Sequence, residues 1–170
     1  FIHSKKYIDI LKKTKSRLIV TNKKYVNLLN KKTKFIEVNN VLLSISKITN
    51  LFYPAALNDH FDNDVKPLNR KKYIGMKNGH NILIGKNVII GKNCSIGHNT
   101  IIEGNVRIGN NCNIGSNVII KNTILGNFTN ILDGAIVGKK GFGFFPSKTK
   151  NIRYPHIGSV LIGNHVEIGC

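Results

Sequence analysis

The sequence predicts a mainly β chain: a parallel β-helix of hexapeptide coils, preceded by part of a small α/β domain. Three observations point there. From residue 84, isoleucine stands at every sixth position, at 84, 90, 96, 102, 108, 114 and 120. Asparagine keeps step three places on, at 87, 93, 99, 105, 111 and 117, and a smaller residue follows each one. Ahead of the repeat, short β-branched runs alternate with helical patterns, the signature of an α/β unit.

Taken in order, residues 4–13 (SKKYIDILKK) open with a serine cap and carry Tyr7, Ile8 and Leu11 at helical spacing. "RLIV" at 17–20 and "FIEV" at 35–38 read as short buried strands. Asn22 starts a second helix whose apolar face is Tyr25, Val26, Leu28 and Leu29. A third helix is expected over 40–52, with Val41, Ile45, Ile48 and Phe52 on one side. This partial α/β domain spans 1–54, and 55–80 reads as a junction with an irregular first coil. The junction follows Pro54 and carries Pro67 and a polar stretch in which Asp59, His60, Asp62 and Asp64 bunch together. A metal site is conceivable there, but acidic residues bunched on an irregular stretch read better as a solvated linker.

The repeat region is 81–170. A short strand can point one large side chain inward per six residues if the chain turns a corner before the next. Glycine, at 85, 91, 97, 109 and 115, and asparagine supply those corners, since both tolerate positive φ. Three sides close one coil, so Ile84, Ile102 and Ile120 are expected to stack in one column. Cys94 and Cys112, one coil apart, read as small buried thiols filling a corner rather than as a disulfide. The register slips after Ile120, resumes at Leu125, Ile131 and Val137, and breaks for a loop at 138–155 before Ile162 and Ile168 restart the coil. A long loop interrupting a rigid repeat usually builds a site.

Composition narrows the function. The 170 residues carry 26 Lys+Arg against 8 Asp+Glu, a net charge of +18, which points to an acidic partner. Nucleic acid is disfavoured, because only four of those cations are arginines. Lysine travels here with asparagine and isoleucine, so AT-rich coding is an equal explanation of the charge. No run approaches the ~20 apolar residues of a membrane span, and a soluble chain is expected. Three cysteines with no CxxC make neither a disulfide framework nor a zinc site, and no metal or bound cofactor is expected. Phe1 stands where a methionine would open a chain, and Cys170 falls two residues after a repeat isoleucine. Both read as cut ends, with further coils expected beyond Cys170.

His98, in "IGHNT", is the most tempting catalytic residue, at a coil edge with no matching histidine, cysteine or carboxylate. The glycines of "GKKGFGF" lack the spacing and context of a phosphate loop. Phe142, Phe144 and Phe145 sit on the interrupting loop and fit an apolar ligand such as an acyl chain, or else pin the loop to the prism.

The hexapeptide rule resembles the left-handed β-helix acyltransferases, a class that does not by itself define a substrate. "ILDGAIVGKKGFGFFPSKTKNIRYPHIGSVLIGNHVEIGC" (131–170) and "FIHSKKY" (1–7) narrow it, resembling stretches of the UDP-3-O-acylglucosamine N-acyltransferase family of lipid A synthesis. The resemblance implies a left-handed helix, a cytoplasmic homotrimer, and transfer of a 3-hydroxyacyl chain from acyl carrier protein to the 2-amino group of the UDP-linked sugar. It implies that Phe1 and Tyr7 sandwich the uracil, with Ser4 standing where the family has asparagine. Lys140 stands where the family has aspartate. Phe142 and Phe144 would be acyl-chain or loop contacts. The family's catalytic histidine falls in an Ala-His-Asn stretch expected beyond Cys170, which argues against His98 and leaves these 170 residues inactive alone. The rival readings are another hexapeptide sugar-nucleotide acyltransferase and a noncatalytic basic β-helix scaffold.

Overall fold

Residues 60–141 and 158–170 wind into a three-walled prism, and each wall is a parallel sheet made of one two- or three-residue strand per coil. The structure is a computed structural model and describes residues 1–146 and 151–170; positions 147–150 of the predicted loop lie outside it. The second compact unit is Phe1–Asp59 together with Phe142–Ile157.

One wall stacks Ile84 on Ile102, Ile120 and Val137, as the repeat predicts. A second stacks Ile90, Ile108, Leu125 and Ile162, and a third Ile96, Ile114, Ile131 and Ile168. From Ile96 to Ile120 the inward isoleucines are 0–3% exposed. Burial of each stabilises the prism by about 1.5–3 kcal/mol before chain entropy is subtracted. The strand Lys66–Pro67 pairs antiparallel with Leu83–Ile84 on the first wall.

The corners correct one expectation. Every repeat asparagine from Asn81 to Asn117 has φ of 55–65°, but no repeat glycine in step with them lies in that region. Those glycines are needed because successive coils touch. A Cβ at Gly109 would meet the Gly126 backbone at 2.7 Å, and one at Gly79 would meet the His98 amide nitrogen at 2.7 Å. From Asn81 to Asn117 asparagine therefore bends the chain and glycine lets the coils close up, while Gly134, in the asparagine place after Ile131, turns at φ 77° itself.

Side chains also tie one coil to the next. The Asn81 amide donates to the Asn99 carbonyl oxygen at 3.0 Å, and Asn87 does the same to Asn105 at 3.2 Å. Where the small residue after an asparagine carries a hydroxyl or thiol, it does more than fill a corner. Thr100 Oγ1 donates to the Gly115 carbonyl at 2.8 Å, and the thiols of Cys94 and Cys112 lie 3.2 and 3.1 Å from the carbonyls of Gly109 and Gly126. Both cysteines are buried and free. Burial pushes the Cys94 thiol pKa up.

The register slip is a corner one residue short, turned by Asn122 at φ 45° with buried Thr123 in the small-residue slot. Above it, Phe128 and His165 take the asparagine place, each at φ 57°, with their rings stacked 4.8 Å apart. A ring stack here replaces the amide ladder.

In the other unit, strands β1 (Leu18–Thr21) and β2 (Lys34–Glu37) form a two-stranded parallel sheet. Helices α1 (Ile8–Lys13), α2 (Lys23–Val26) and α3 (Val41–Phe52) surround it in sequence. Asn22 and Asn40 cap α2 and α3 by accepting from Lys24 and Leu43 N–H groups at 3.1 Å. Ile2, Ile19 and Tyr25 form the buried cluster, with Ile8, Leu11 and Leu29 against it.

Three expectations change. β2 is not buried: it pairs with β1 alone, at a sheet edge, and leaves Phe35 and Ile36 about half exposed. α2 is a single turn, so Leu28 falls outside it and is exposed. α3 is buried through Val41, on the predicted stripe, and through Ser46, off it, while Phe52 is exposed; a small residue lets a helix backbone approach its neighbour where a large one holds it away.

Candidate functional site

The first three residues run beside β1. Ile2 donates its N–H to the Val20 carbonyl at 3.0 Å, and its own carbonyl accepts from Thr21 Oγ1 at 3.2 Å. With Ile2 buried, the alternation of extended backbone sends Phe1 and His3 to the opposite side. Ser4 then caps a 3₁₀ turn over Lys5–Tyr7, its hydroxyl accepting from the Lys6 N–H at 3.4 Å. That turn brings Tyr7 back to the same side as Phe1. His3 makes ring contacts with both, at centroid distances of 5.8 Å to Phe1 and 5.3 Å to Tyr7.

Phe1, His3 and Tyr7, with Leu42 and Tyr154, line a cavity of about 400 Å³. Tyr154 arrives on a short antiparallel hairpin, Phe144–Phe145 with Ile152–Arg153. Its N–H donates to the Gly143 carbonyl at 2.8 Å, and its ring contacts Phe145 at 5.2 Å and His156 at 5.5 Å. The Gly-Phe-Gly stretch is thus the base of the hairpin that presents Tyr154. Arg153 in the hairpin pairs with Asp59 at 3.6 Å. A concave site walled by aromatic rings suits a flat, partly polar ligand such as a nucleobase.

The predicted residues divide. Phe1 and Tyr7 come together on the cavity. Ser4 does not line it; its hydroxyl serves the 3₁₀ turn. Phe142 and Phe144 meet edge to face at 5.0 Å away from the cavity lining, with Phe142 94% exposed. Sequence reading missed Leu42, Tyr154 and His3. His3 stood inside the quoted "FIHSKKY", and the strand alternation that pairs it with Phe1 was the available signal.

His98 has a structural task. Its Nδ1 accepts from the His80 N–H at 3.0 Å, one coil below, and its own N–H donates to Ser116 Oγ at 3.1 Å. The same rung recurs where Lys92 N–H donates to Asn110 and Asn127 N–H to Asn164. A side chain after the repeat glycine therefore accepts from the coil beneath. The acidic stretch also differs from a free linker. Asp62 Oδ2 accepts from Gly104 N–H at 3.0 Å, and Asp64 pairs with Lys86 at 3.0 Å, so it is fastened to the prism. Among the described residues no three metal-ligating side chains cluster, and no helix is long and apolar enough to cross a membrane.

Stacked isoleucine columns, asparagine corners and three parallel walls define a left-handed β-helix of the hexapeptide-repeat class. The family model for bacterial transferase hexapeptide (six repeats) matches residues 87–122. Within that class the chain is 37% identical over 171 aligned residues, 99% of its length, to UDP-3-O-acylglucosamine N-acyltransferase 2 of Legionella pneumophila (strain Paris). It is 42% identical over 50 residues, 29% of the chain and 15% of the relative, to the protein of the same name from strain Lens. It is 52% identical over 40 residues, 24% of the chain and 12% of the relative, to UDP-3-O-acylglucosamine N-acyltransferase of Dechloromonas aromatica (strain RCB). The family resemblance carried by residues 1–7 and 131–170 is therefore borne out along the whole chain. The chain spans about half the length of the relative that it matches end to end.

Proposed function

We propose that the chain is part of an N-acyltransferase that moves a 3-hydroxyacyl group from acyl carrier protein to the 2-amino group of UDP-3-O-acylglucosamine, in lipid A synthesis in the cytoplasm. The observation that carries this reading is the convergence of Phe1, Tyr7 and Tyr154 on one cavity in a chain so similar to proteins of that name. The cavity takes the uracil, with the Phe1 and Tyr7 rings against its faces. The net charge of +18 favours encounter with an acidic carrier protein by electrostatic steering. The protein works as a homotrimer, without a bound cofactor. Chemically, the sugar amine attacks the thioester carbonyl and passes its proton to a general base, and the tetrahedral adduct then collapses by breaking the C–S bond, the carrier's sulfur leaving as a thiolate that takes up a proton. His98 is not that base, since its Nδ1 is held by the His80 N–H.

Titration with UMP by calorimetry tests the reading. Micromolar to millimolar binding is expected, and Tyr7→Ala should weaken it about tenfold or more by removing an aromatic face. Binding that is absent from the unaltered chain, or that falls steeply with salt and is shared by any oligonucleotide, would overturn it in favour of a basic scaffold.

A further inference from the structure

Resting on that nucleotide reading, we infer that His3 is the residue that selects uracil over cytosine. An aromatic slot alone cannot do so, because stacking is tolerant of base identity. A polar group at the base edge is needed, and Ser4 is not on the cavity.

His3 is the polar side chain beside the slot. It lines the cavity and touches both flanking rings. Its Nδ1 is buried without a hydrogen-bond partner among the described residues, and Nε2 is not in that position. A buried nitrogen with no partner is better tolerated as a lone pair than as an N–H, since orphaned donors are the rarer kind. Nε2 therefore carries an N–H, and His3 offers the site a donor. Uracil presents carbonyl acceptors along its edge. Cytosine puts an amine, itself a donor, where uracil has the second carbonyl, so the same N–H meets an acceptor in one base and a donor in the other.

The test compares UMP and CMP binding to the unaltered chain, His3→Leu, His3→Gln and Tyr154→Phe, each checked for folding by its melting curve. UMP is expected to bind about five- to tenfold more tightly than CMP, the range of one hydrogen bond. His3→Leu should bring the ratio to about one with little change for CMP, while His3→Gln, which keeps an N–H, retains part of it. Tyr154→Phe should leave the ratio unchanged. A leucine variant that keeps the preference, or a phenylalanine variant that loses it, overturns the role of His3. In the unaltered chain, UMP should shift the His3 ring ¹⁵N resonances, and an unmoved signal at saturation overturns it too. Failure of the unaltered chain to bind either nucleotide sinks the nucleotide site itself, whereas UMP binding that Tyr7→Ala weakens and His3→Leu leaves selective sinks only this inference.

Discussion

The prism and the amino-terminal unit solve the same problem of burial in opposite ways. In the prism, one six-residue rule is applied again and again, so each coil covers the last and the inward isoleucines from 96 to 120 are almost wholly sealed. In the other unit, burial depends on contacts made once: Ile2 against β1, Tyr25 from a single helical turn, Ser46 from α3. That unit leaves Phe35, Ile36 and Phe52 exposed and gathers aromatic rings around an open cavity. Repetition gives rigidity, and the irregular unit carries the candidate binding surface.

Removing one equivalent aliphatic side chain from each unit should separate them most. Ile120→Ala empties a fully buried place between Ile102 and Val137 and should cost about 2–5 kcal/mol in urea unfolding. Ile36→Ala, on the exposed edge strand, should stay within about 0.5 kcal/mol. Equal losses would mean that the sheet edge is covered in solution. Next in size is Gly109→Ala, whose added carbon would sit 2.7 Å from the coil above; overpacking of this kind costs about 1–3 kcal/mol. Gly158→Ala meets nothing within 4 Å and should be near neutral by the same melt. Smaller again is Asn99→Ala, which forces an alanine to φ 55° and cuts the amide ladder to Asn81, for about 1–2 kcal/mol. Asn99→Gly keeps the backbone and should recover most of that.

The walls were legible because their rule is local and repeated: isoleucine at every sixth place, asparagine where the chain bends. What the glycines do was not legible, since a close approach between residues 17 or 18 apart leaves no local trace that separates it from a positive-φ turn. The His98 rung escaped for the same reason, its partner being His80 one coil away. In the amino-terminal unit the strands and caps could be read, because Asn22 and Asn40 announce their helices. The exposure of β2 could not, because it depends on what else lies beside the sheet. Two of the five lining residues, Phe1 and Tyr7, were visible on one short stretch. Tyr154 was not, being brought in across more than a hundred residues by a hairpin.

The smallest effect separates the cysteines. Cys94 is sealed in the prism, and burial disfavours its thiolate, so its folded pKa stands above the ordinary 9.0. Folding then holds a proton that the unfolded chain releases first. The stability tied to that thiol is fully present below about pH 9 and is lost as the pH rises through the folded value. Cys170 is exposed. At pH 8 a thiol reagent should therefore modify Cys170 promptly and leave Cys94 and Cys112 until urea opens the coils, which mass spectrometry of digested peptides would read directly. Prompt labelling of Cys94 would mean that the prism opens at its second coil without global unfolding. In that case, repetition would not confer the rigidity assigned to it, and the contrast between the two units would narrow to one of composition.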